Sequence, residues 1–303
     1  MSARIEALRT PEERFANLPG FTFRPHYIED LAGYEGLRLH YLDERPARAA
    51  ADMQTYLCLH GEPSWSYLYR KMIPVFLAAG HRAVAPDFFG FGRSDKPVDD
   101  AVYTFGFHRT MLLRFIERMN LTNITLVVQD WGGLLGLTLP MEMPERFRRL
   151  LVMNTSLAVG KSPGPGFDGW KAYAKANPDL DVAALMKRGT PVLSDAEAAA
   201  YGAPFPDVHY KAGVRRFPEL VMVSPEMEGA DISKRAAAWW ANDWRGQSFM
   251  AVGMKDPVLG PSVMADLRKT IRGCPAPLEI PEGGHFVQEW GDEIARAAVK
   301  AFG

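Results

Sequence analysis

The sequence predicts an α/β fold in which helices flank a mostly parallel sheet and a helical cap interrupts the chain. Three observations carry this prediction: short apolar runs recur, helical stretches separate most of them, and one long segment contains no convincing strand. A short run of continuous apolar residues is typical of a strand that is buried on both faces, as in parallel sheets. The predicted parallel strands are Thr55–Leu59, Arg82–Pro86, Ile124–Gln129, Arg149–Met153 and Ser248–Gly253.

The segments around these strands complete the predicted core. Ser66–Ala79, Phe105–Met119 and Gly132–Glu142 are long and periodic enough to be crossover helices over a parallel sheet. Arg24–Glu29 and Gly36–Asp43 alternate apolar and polar residues instead, which favours an antiparallel pair with one wetter face. We therefore expect two antiparallel strands to precede the parallel part of the sheet.

The alternation of strands and helices stops from about Leu157 to Glu228, where proline and glycine cluster among short helical pieces. This pattern predicts a helical cap over residues 157–228, inserted between core segments 1–156 and 229–303. Because the alternation then resumes, the core closes after the cap. The resumed elements are Ile232–Asp243, Gln247–Gly253, Pro261–Ile271, Leu278–Ile280 and a helix near Asp292–Phe302.

Composition excludes several classes of function. The 303 residues carry a formal net charge of -1, so no overall field attracts nucleic acid or an anionic membrane surface. The chain shows neither a signal peptide nor about 18 consecutive apolar residues, so we expect a cytoplasmic protein that does not enter a membrane. Two cysteines make no disulfide scaffold, and the usual metal and nucleotide motifs are absent, so no metal or cofactor is implied. We also expect a monomer.

Asp130 is the first candidate for chemistry. It ends the apolar run ITLVVQ and is followed by Trp131, Gly132, Gly133 and a predicted helix. This is the setting of a nucleophile elbow, a tight strand-to-helix turn that needs small neighbours. The usual pattern has glycine two residues before the nucleophile, whereas this chain has Val128. An aspartate is ordinarily ionised at neutral pH, so it can attack a saturated carbon without a base; alternatively, Asp130 only caps the helix.

Other candidates follow other strands. His60 to Pro63 follow the strand TYLCL, where the backbone N–H of Glu62, together with that of Trp131, could form an oxyanion hole. The same loop could be a plain turn. His285 lies in a glycine loop after the strand LEI, and Asp256 lies three residues after the strand FMAVG. Since crevices form at the carboxyl ends of parallel strands, we expect an aspartate–histidine–aspartate triad there.

These residues carry a family resemblance. Together they resemble the haloalkane dehalogenases of the α/β-hydrolase superfamily, in which the nucleophile, the acid and the histidine occur in this chain order. The likeness covers nearly the whole chain and is greatest to the subfamily with the acid after the late strand and with two cap motifs, here Gly166–Trp170 and Arg215–Pro218. The motifs that carry it are HGEPSWSYLYRK, PDFFGFGRSDKP, VVQDWGGLLGL, GMKDPVLGP and GGHFVQE.

The resemblance implies a halide site at Trp131 and Trp170, because an indole N–H can only donate and does not repel an anion. Trp170 has an alternative interpretation as a packing residue of the cap. The resemblance also implies an apolar pocket, which suits a neutral substrate and keeps the site dry. The implied lining is Phe167, Phe217, Pro218, Val221, Val258 and Leu259.

The implied reaction has two steps and uses only a small haloalkane, water and the released halide. Asp130 displaces the halide and forms an alkyl ester, and His285, oriented by Asp256, then activates water to hydrolyse that ester to a primary alcohol. An epoxide hydrolase shares the nucleophile and the His–Asp pair but needs proton donors, for which the cap offers Tyr173, Tyr201 and Tyr210. A third possibility is a binding protein without turnover.

Overall fold

The computed structural model describes residues 5–303, and its largest element is an eight-stranded sheet. The predicted α/β fold is confirmed, with all five predicted parallel strands present. Numbered along the chain, the strands are β1 (Ala7–Leu8), β2 (His26–Ile28), β3 (Leu39–Glu44), β4 (Thr55–Leu59), β5 (Arg82–Pro86), β6 (Lys96–Pro97), β7 (Ile124–Val128), β8 (Phe147–Met153), β9 (Gln247–Gly253) and β10 (Leu278–Ile280).

Six strands of the main sheet are parallel, in the spatial order β10, β9, β8, β7, β4 and β5. Strands β4 and β7 are wholly buried, as their continuous apolar sequences predict. Leu57 pairs with Leu126, and Leu126 with Leu150, so the central strands are in register. Their carboxyl ends therefore meet at one edge of the sheet, which is where polar side chains after each strand can converge.

The antiparallel edge is also confirmed. Strand β3 pairs antiparallel with β5, and β2 pairs antiparallel with β3. Both strands are shorter than predicted, because β2 begins after Pro25, which cannot donate to a ladder, and β3 begins only at Leu39. A second, two-stranded sheet pairs β1 with β6 and was not predicted.

Helices flank the sheet and fill the region between β8 and β9. The helix predicted over Phe105–Met119 agrees with the observed helix to within one residue, and Thr104 marks its start by accepting a hydrogen bond from the N–H of Phe107. The α-helices are α1 (Ile73–Ala78), α2 (Phe105–Arg118), α3 (Asp130–Gly136), α4 (Pro165–Ala176), α5 (Val182–Gly189), α6 (Asp195–Gly202), α7 (Ala212–Leu220), α8 (Ala230–Asn242), α9 (Pro261–Thr270) and α10 (Gly291–Phe302).

Two predicted helices have wrong bounds. The segment Ser66–Ala79 is a 3-10 helix over Ser66–Tyr69 followed by the separate helix α1, because Pro74 favours the first turn of a helix and not its interior. The helix predicted over Gly132–Glu142 begins at Asp130 and ends at Gly136.

Four helices, α4 to α7, lie within residues 157–228, where the sequence predicts a cap. Capping residues delimit two of them: Asp181 caps α5, and Ser194 forms a reciprocal capping box with Glu197 at the start of α6. The domain bounds 1–156, 157–228 and 229–303 stay a prediction, and the first four residues of the first segment lie outside the described residues.

A buried ion cluster fastens helix α6 to the core. The Arg70 guanidinium forms hydrogen bonds of 2.7 Å to each carboxylate oxygen of Glu289, and one of 2.8 Å to Glu197 of α6. The side chains of Arg70 and Glu289 are 2% and 0% exposed, whereas Lys71, which also pairs with Glu289, is 35% exposed. Such a pair adds little over an apolar substitute, but removing one partner leaves a charge buried without compensation.

From Ile5 to the carboxyl terminus, none of the helices has the length and the apolar character that crossing a bilayer requires.

We expect Arg70→Met to destabilise the fold because it leaves the buried Glu289 carboxylate with Lys71 as its only cationic partner and the Tyr201 hydroxyl as a neutral donor. The free energy of unfolding should fall by about 3 kcal/mol, the lower end for a broken buried pair. Denaturant titration measures this change. The control is Arg296→Met, which breaks an exposed pair with Asp292 and should leave the midpoint of unfolding unchanged; equal effects of the two substitutions would contradict the prediction.

Candidate active site

Asp130 occupies the turn between β7 and α3 in a left-handed backbone conformation, with φ of 49°. This conformation is unfavourable for a residue with a side chain, so neighbouring groups must hold it. The Asp130 N–H donates to the Asn154 carbonyl at 3.0 Å, and the Thr155 hydroxyl donates to the Asp130 carbonyl at 2.7 Å. Both partners follow β8, so the neighbouring strand end holds the backbone of Asp130 on both sides.

Two glycines make room for this turn. A Cβ atom at Gly132 would lie 2.0 Å from the Leu59 carbonyl oxygen, and a Cβ atom at Gly61 would lie 2.3 Å from Oδ1 of Asp130. Neither position can carry a side chain unless backbone or carboxylate moves. The close approach of the loop after β4 to Asp130 thus depends on glycine on both sides, as the elbow requires.

The Asp130 carboxylate lies between the loop after β4 and His285. The Glu62 N–H donates to Oδ1 at 2.8 Å, and Nε2 of His285 lies 3.4 Å from Oδ2. The Trp131 N–H belongs to the first turn of α3, whose amide groups have no partner within the helix. The two predicted oxyanion donors therefore belong to the segments that flank the carboxylate, and Glu62 already contacts it.

His285 contacts both predicted carboxylates. Its Nδ1 lies 2.9 Å from Oδ2 of Asp256, whose side chain is fully buried. Asp256 also accepts hydrogen bonds from the Asn154 side chain at 3.0 Å and from the N–H groups of Val258 and Leu259 at 2.8 and 3.1 Å. These donors hold the Asp256 carboxylate against the imidazole.

Burial and neighbouring charges raise the pKa values of His285 and Glu62 and lower that of Asp256. Burial lowers the pKa of His285, but the charge of Asp256, the hydrogen bonds with both aspartates and the charge of Asp130 raise it well above its ordinary value. Burial raises the pKa of Asp256, yet His285 and the two backbone donors outweigh it and hold this pKa below its usual range. Burial and the charge of Asp130 raise the pKa of Glu62 well above normal, which favours its protonated form.

Asp130, Glu62 and His285 line one cavity of about 240 Å³ between the sheet edge and helices α4, α5 and α7, whereas Asp256 does not line it. Both predicted halide donors, Trp131 and Trp170, line it, and neither indole N–H forms a hydrogen bond within residues 5–303. Five of the six residues predicted to line the pocket do so: Phe167, Pro218, Val221, Val258 and Leu259.

Phe217 does not line the cavity, so this prediction is wrong. Its ring packs at 4.7 Å on Trp131 and at 4.7 Å on Phe91, and it is 1% exposed. Consecutive residues of a helix point to different sides, so Pro218 reaches the cavity while Phe217 supports Trp131 from behind.

Sequence reasoning missed three residues that shape the site. Asn154 and Thr155 directly follow β8, and Gln129 directly follows β7. Gln129 is fully buried, and its side-chain nitrogen lies 3.0 Å from Nε2 of His285. Polar residues at the carboxyl ends of buried parallel strands were the signal that could have found all three. No cluster of three or more metal-ligating side chains occurs among the residues that the structure describes.

Known proteins resemble this chain over nearly its whole length. The family described as the α/β hydrolase fold matches residues 56–292. A haloalkane dehalogenase from Psychrobacter cryohalolentis is 44% identical, covering 98% of each chain, and one from Mycobacterium marinum is 41% identical, covering 97% of this chain and 99% of the other. The tetrameric haloalkane dehalogenase DpaA from Paraglaciecola agarilytica is 52% identical with a TM-score of 0.95, covering 98% of this chain and 99% of the other.

We expect Asp256→Asn to lower the pKa of His285, because it removes the first of the two carboxylate charges that raise it. Nuclear magnetic resonance titration of the imidazole measures this shift directly. The matched control, Asp292→Asn, removes an exposed carboxylate that pairs only with Arg296 and should leave the titration unchanged. An unchanged midpoint in Asp256→Asn would show that this carboxylate does not govern the imidazole.

Proposed function

Since the chain belongs to the haloalkane dehalogenases of the α/β-hydrolase fold, we propose that Asp130 is its nucleophile and that His285 and Asp256 complete the reaction. The enzyme hydrolyses carbon–halogen bonds. One observation carries the assignment of residues: the Asp130 carboxylate lies within an apolar cavity, 2.8 Å from the Glu62 N–H and 3.4 Å from the His285 imidazole.

In the first step, an oxygen of the Asp130 carboxylate attacks the carbon that bears the halogen. The carbon–halogen bond breaks as the carbon–oxygen bond forms, and the halide leaves with the bonding electrons. The indole N–H groups of Trp131 and Trp170 have no protein acceptor within the described residues and are available to the departing halide. Hydrogen bonds to a developing charge in a site without water stabilise the transition state strongly.

Forming the ester prepares the second step. The ester has no charge at Asp130, so one of the causes that raise the pKa of His285 disappears. The neutral imidazole is then favoured, and its Nε2 can take a proton from water as the water attacks the ester carbonyl. The resulting oxyanion meets the N–H groups of Glu62 and Trp131, and collapse of this intermediate releases the alcohol.

The cavity supports a small, neutral substrate. Its volume of about 240 Å³ is smaller than the roughly 300–1,000 Å³ of typical ligand pockets, and most of its lining is apolar. A haloalkane with a short chain fits these properties, and a terminal halogen gives a primary alcohol.

The epoxide hydrolase alternative lacks its proton donors. None of the described tyrosines lines the cavity: Tyr201 is fully buried on Glu289, Tyr173 is 37% exposed, and Tyr210 belongs to the 3-10 helix before α7. Halide release from 1-bromobutane, compared with diol formation from styrene oxide, separates the two activities.

The monomer stays a prediction, as does the cytoplasmic location. The relative from Paraglaciecola agarilytica is described as tetrameric, which disagrees with a monomer for a chain 52% identical to it. The proposed triad is assembled within a single chain, through the contacts of His285 with Asp130 and Asp256.

We expect His285→Ala to stop the reaction after the first step, because the ester forms without a base but needs one to be hydrolysed. Intact mass spectrometry after exposure to 1-bromobutane should show the protein heavier by one butyl group. Asp130→Ala is the control and should show neither adduct nor bromide release. Full turnover by His285→Ala, or bromide release at the native rate by Asp130→Ala, contradicts the proposal.

We expect Trp131→Phe and Trp170→Phe each to weaken halide binding, because phenylalanine keeps bulk but has no N–H. Losing a donor to a charged group costs about 1.5–3 kcal/mol, which is roughly a tenfold to hundredfold loss of affinity. Bromide titration followed by tryptophan fluorescence measures it. Trp239→Phe, which changes a partly buried tryptophan of α8 outside the cavity lining, should bind bromide as the native protein does. Unchanged affinity in both cavity variants would exclude the halide site.

A further inference from the structure

Gln129 is a buried polar residue that the proposed reaction does not use. It lies between the end of β7 and Asp130, and none of its surface is exposed. It occupies the N-cap position of α3, but its side chain caps no amide of that helix. A buried amide must satisfy its donors and acceptors within the protein, so its partners are informative.

The orientation of the Gln129 amide is determined by its surroundings. Its Nε2 lies 3.0 Å from the backbone carbonyl oxygen of His285 and 3.0 Å from Nε2 of the same residue. A carbonyl can only accept, so the nitrogen and not the oxygen of Gln129 must face His285. On the opposite side, the Gln288 amide nitrogen lies 3.5 Å from Oε1 of Gln129, which agrees with this orientation.

This orientation of the Gln129 amide indicates which nitrogen of the His285 imidazole carries a hydrogen. Nδ1 faces the carboxylate of Asp256 at 2.9 Å, which only accepts, so Nδ1 carries a hydrogen. Nε2 faces a donated N–H of Gln129 and can accept it only when it carries no proton. A protonated Nε2 would instead bring two N–H groups against each other. The Gln129 amide therefore stabilises the neutral imidazole, which is the form that acts as a base.

The other groups around the imidazole act in the opposite direction or carry no charge. The carboxylates of Asp256 and Asp130 both favour the protonated form, and Glu62 beside them favours its own neutral form. An N–H donor at Nε2 is thus the one contact among the described residues that opposes the two aspartates at this nitrogen.

We propose that Gln129 is a positioning residue that favours the base form of His285 by donating a hydrogen bond to Nε2, before and after the ester forms, until the hydrolytic water takes its place at that nitrogen. The inference rests on the proposed function, in which His285 is the base of the second step. Gln129 itself does not line the cavity.

The test is the pH dependence of ester hydrolysis in Gln129→Leu. Losing one neutral hydrogen bond should raise the apparent pKa of His285 by about one unit, which corresponds to about 1.4 kcal/mol. In single-turnover experiments with 1-bromobutane, hydrolysis of the alkyl-enzyme should be about tenfold slower at pH values below both pKa values. At pH values above both, the rate should equal or exceed that of the native enzyme. A loss of the same size at every pH, with an unmoved pKa, would mean a structural role only and overturn the proposal.

A matched control separates the donated bond from the loss of any buried amide. Gln288→Leu removes the neighbouring buried amide, which contacts Gln129 but not the imidazole. It should leave the pKa of His285 unchanged. A shift equal to that of Gln129→Leu would assign the effect to the buried cluster as a whole and contradict the specific bond.

A second measurement needs neither turnover nor a variant. In native protein labelled with 15N, a bond from Gln129 to Nε2 of neutral His285 should give a scalar coupling between the two nitrogens. Absence of this coupling at a pH where the imidazole is neutral overturns the proposal, even if Gln129→Leu does not fold. If the native protein releases no halide, the proposed function fails, whereas the coupling and the imidazole titration still decide the role of Gln129.

Discussion

The left-handed backbone of Asp130 is the constraint on which the rest of the site depends. An aspartate adopts it only at a cost, and hydrogen bonds to Asn154 and from Thr155 offset that cost. The absence of side chains at Gly61 and Gly132 lets the neighbouring loop and strand come close enough for the turn to form. The result is a carboxylate raised above the sheet edge, where it lies between a backbone donor and an imidazole.

The surroundings of each carboxyl group near His285 determine whether that group favours its charged or its neutral form. Asp256 is buried, but four hydrogen-bond contacts keep its negative charge favourable. Glu62 is buried near Asp130 with an unpartnered oxygen, so its neutral form is favoured. Of the three carboxyl groups, Asp256 contacts Nδ1 of His285, Asp130 faces the cavity as the proposed nucleophile, and Glu62 favours its neutral form.

The sequence predicted the parallel strands and the α/β fold well, because a strand that is buried on both faces needs consecutive apolar residues, which can be recognised locally. It also indicated Asp130, Asp256 and His285, since each follows a strand and parallel strands end at one edge. Side-chain direction was harder to predict: Phe217 and Pro218 are neighbours, yet only Pro218 reaches the cavity. The contact of Gln129 with His285 joins residues 156 positions apart, which no local pattern can indicate.

The usual elbow has glycine two residues before the nucleophile, and the packing around Val128 explains why this chain can carry valine there. A Cβ atom at Gly136 would lie 2.8 Å from Cγ1 of Val128, so the space for the valine side chain comes from the helix that follows and not from the strand. The valine at position 128 therefore depends on the glycine at position 136.

The Arg70 cluster affects how substrate can enter the cavity and how product can leave it. The Arg70 guanidinium connects the segment after the Glu62 loop to Glu197 of helix α6 and to Glu289 after His285. At a second place, Gly166 at the start of α4 packs against the Pro257 carbonyl. Helices α4 to α7 cannot lift as a rigid body without separating Glu197 of α6 from the buried Arg70 guanidinium. Displacing single side chains of the cavity lining leaves this contact intact, so side-chain movement is the less costly way to admit reactant and release product.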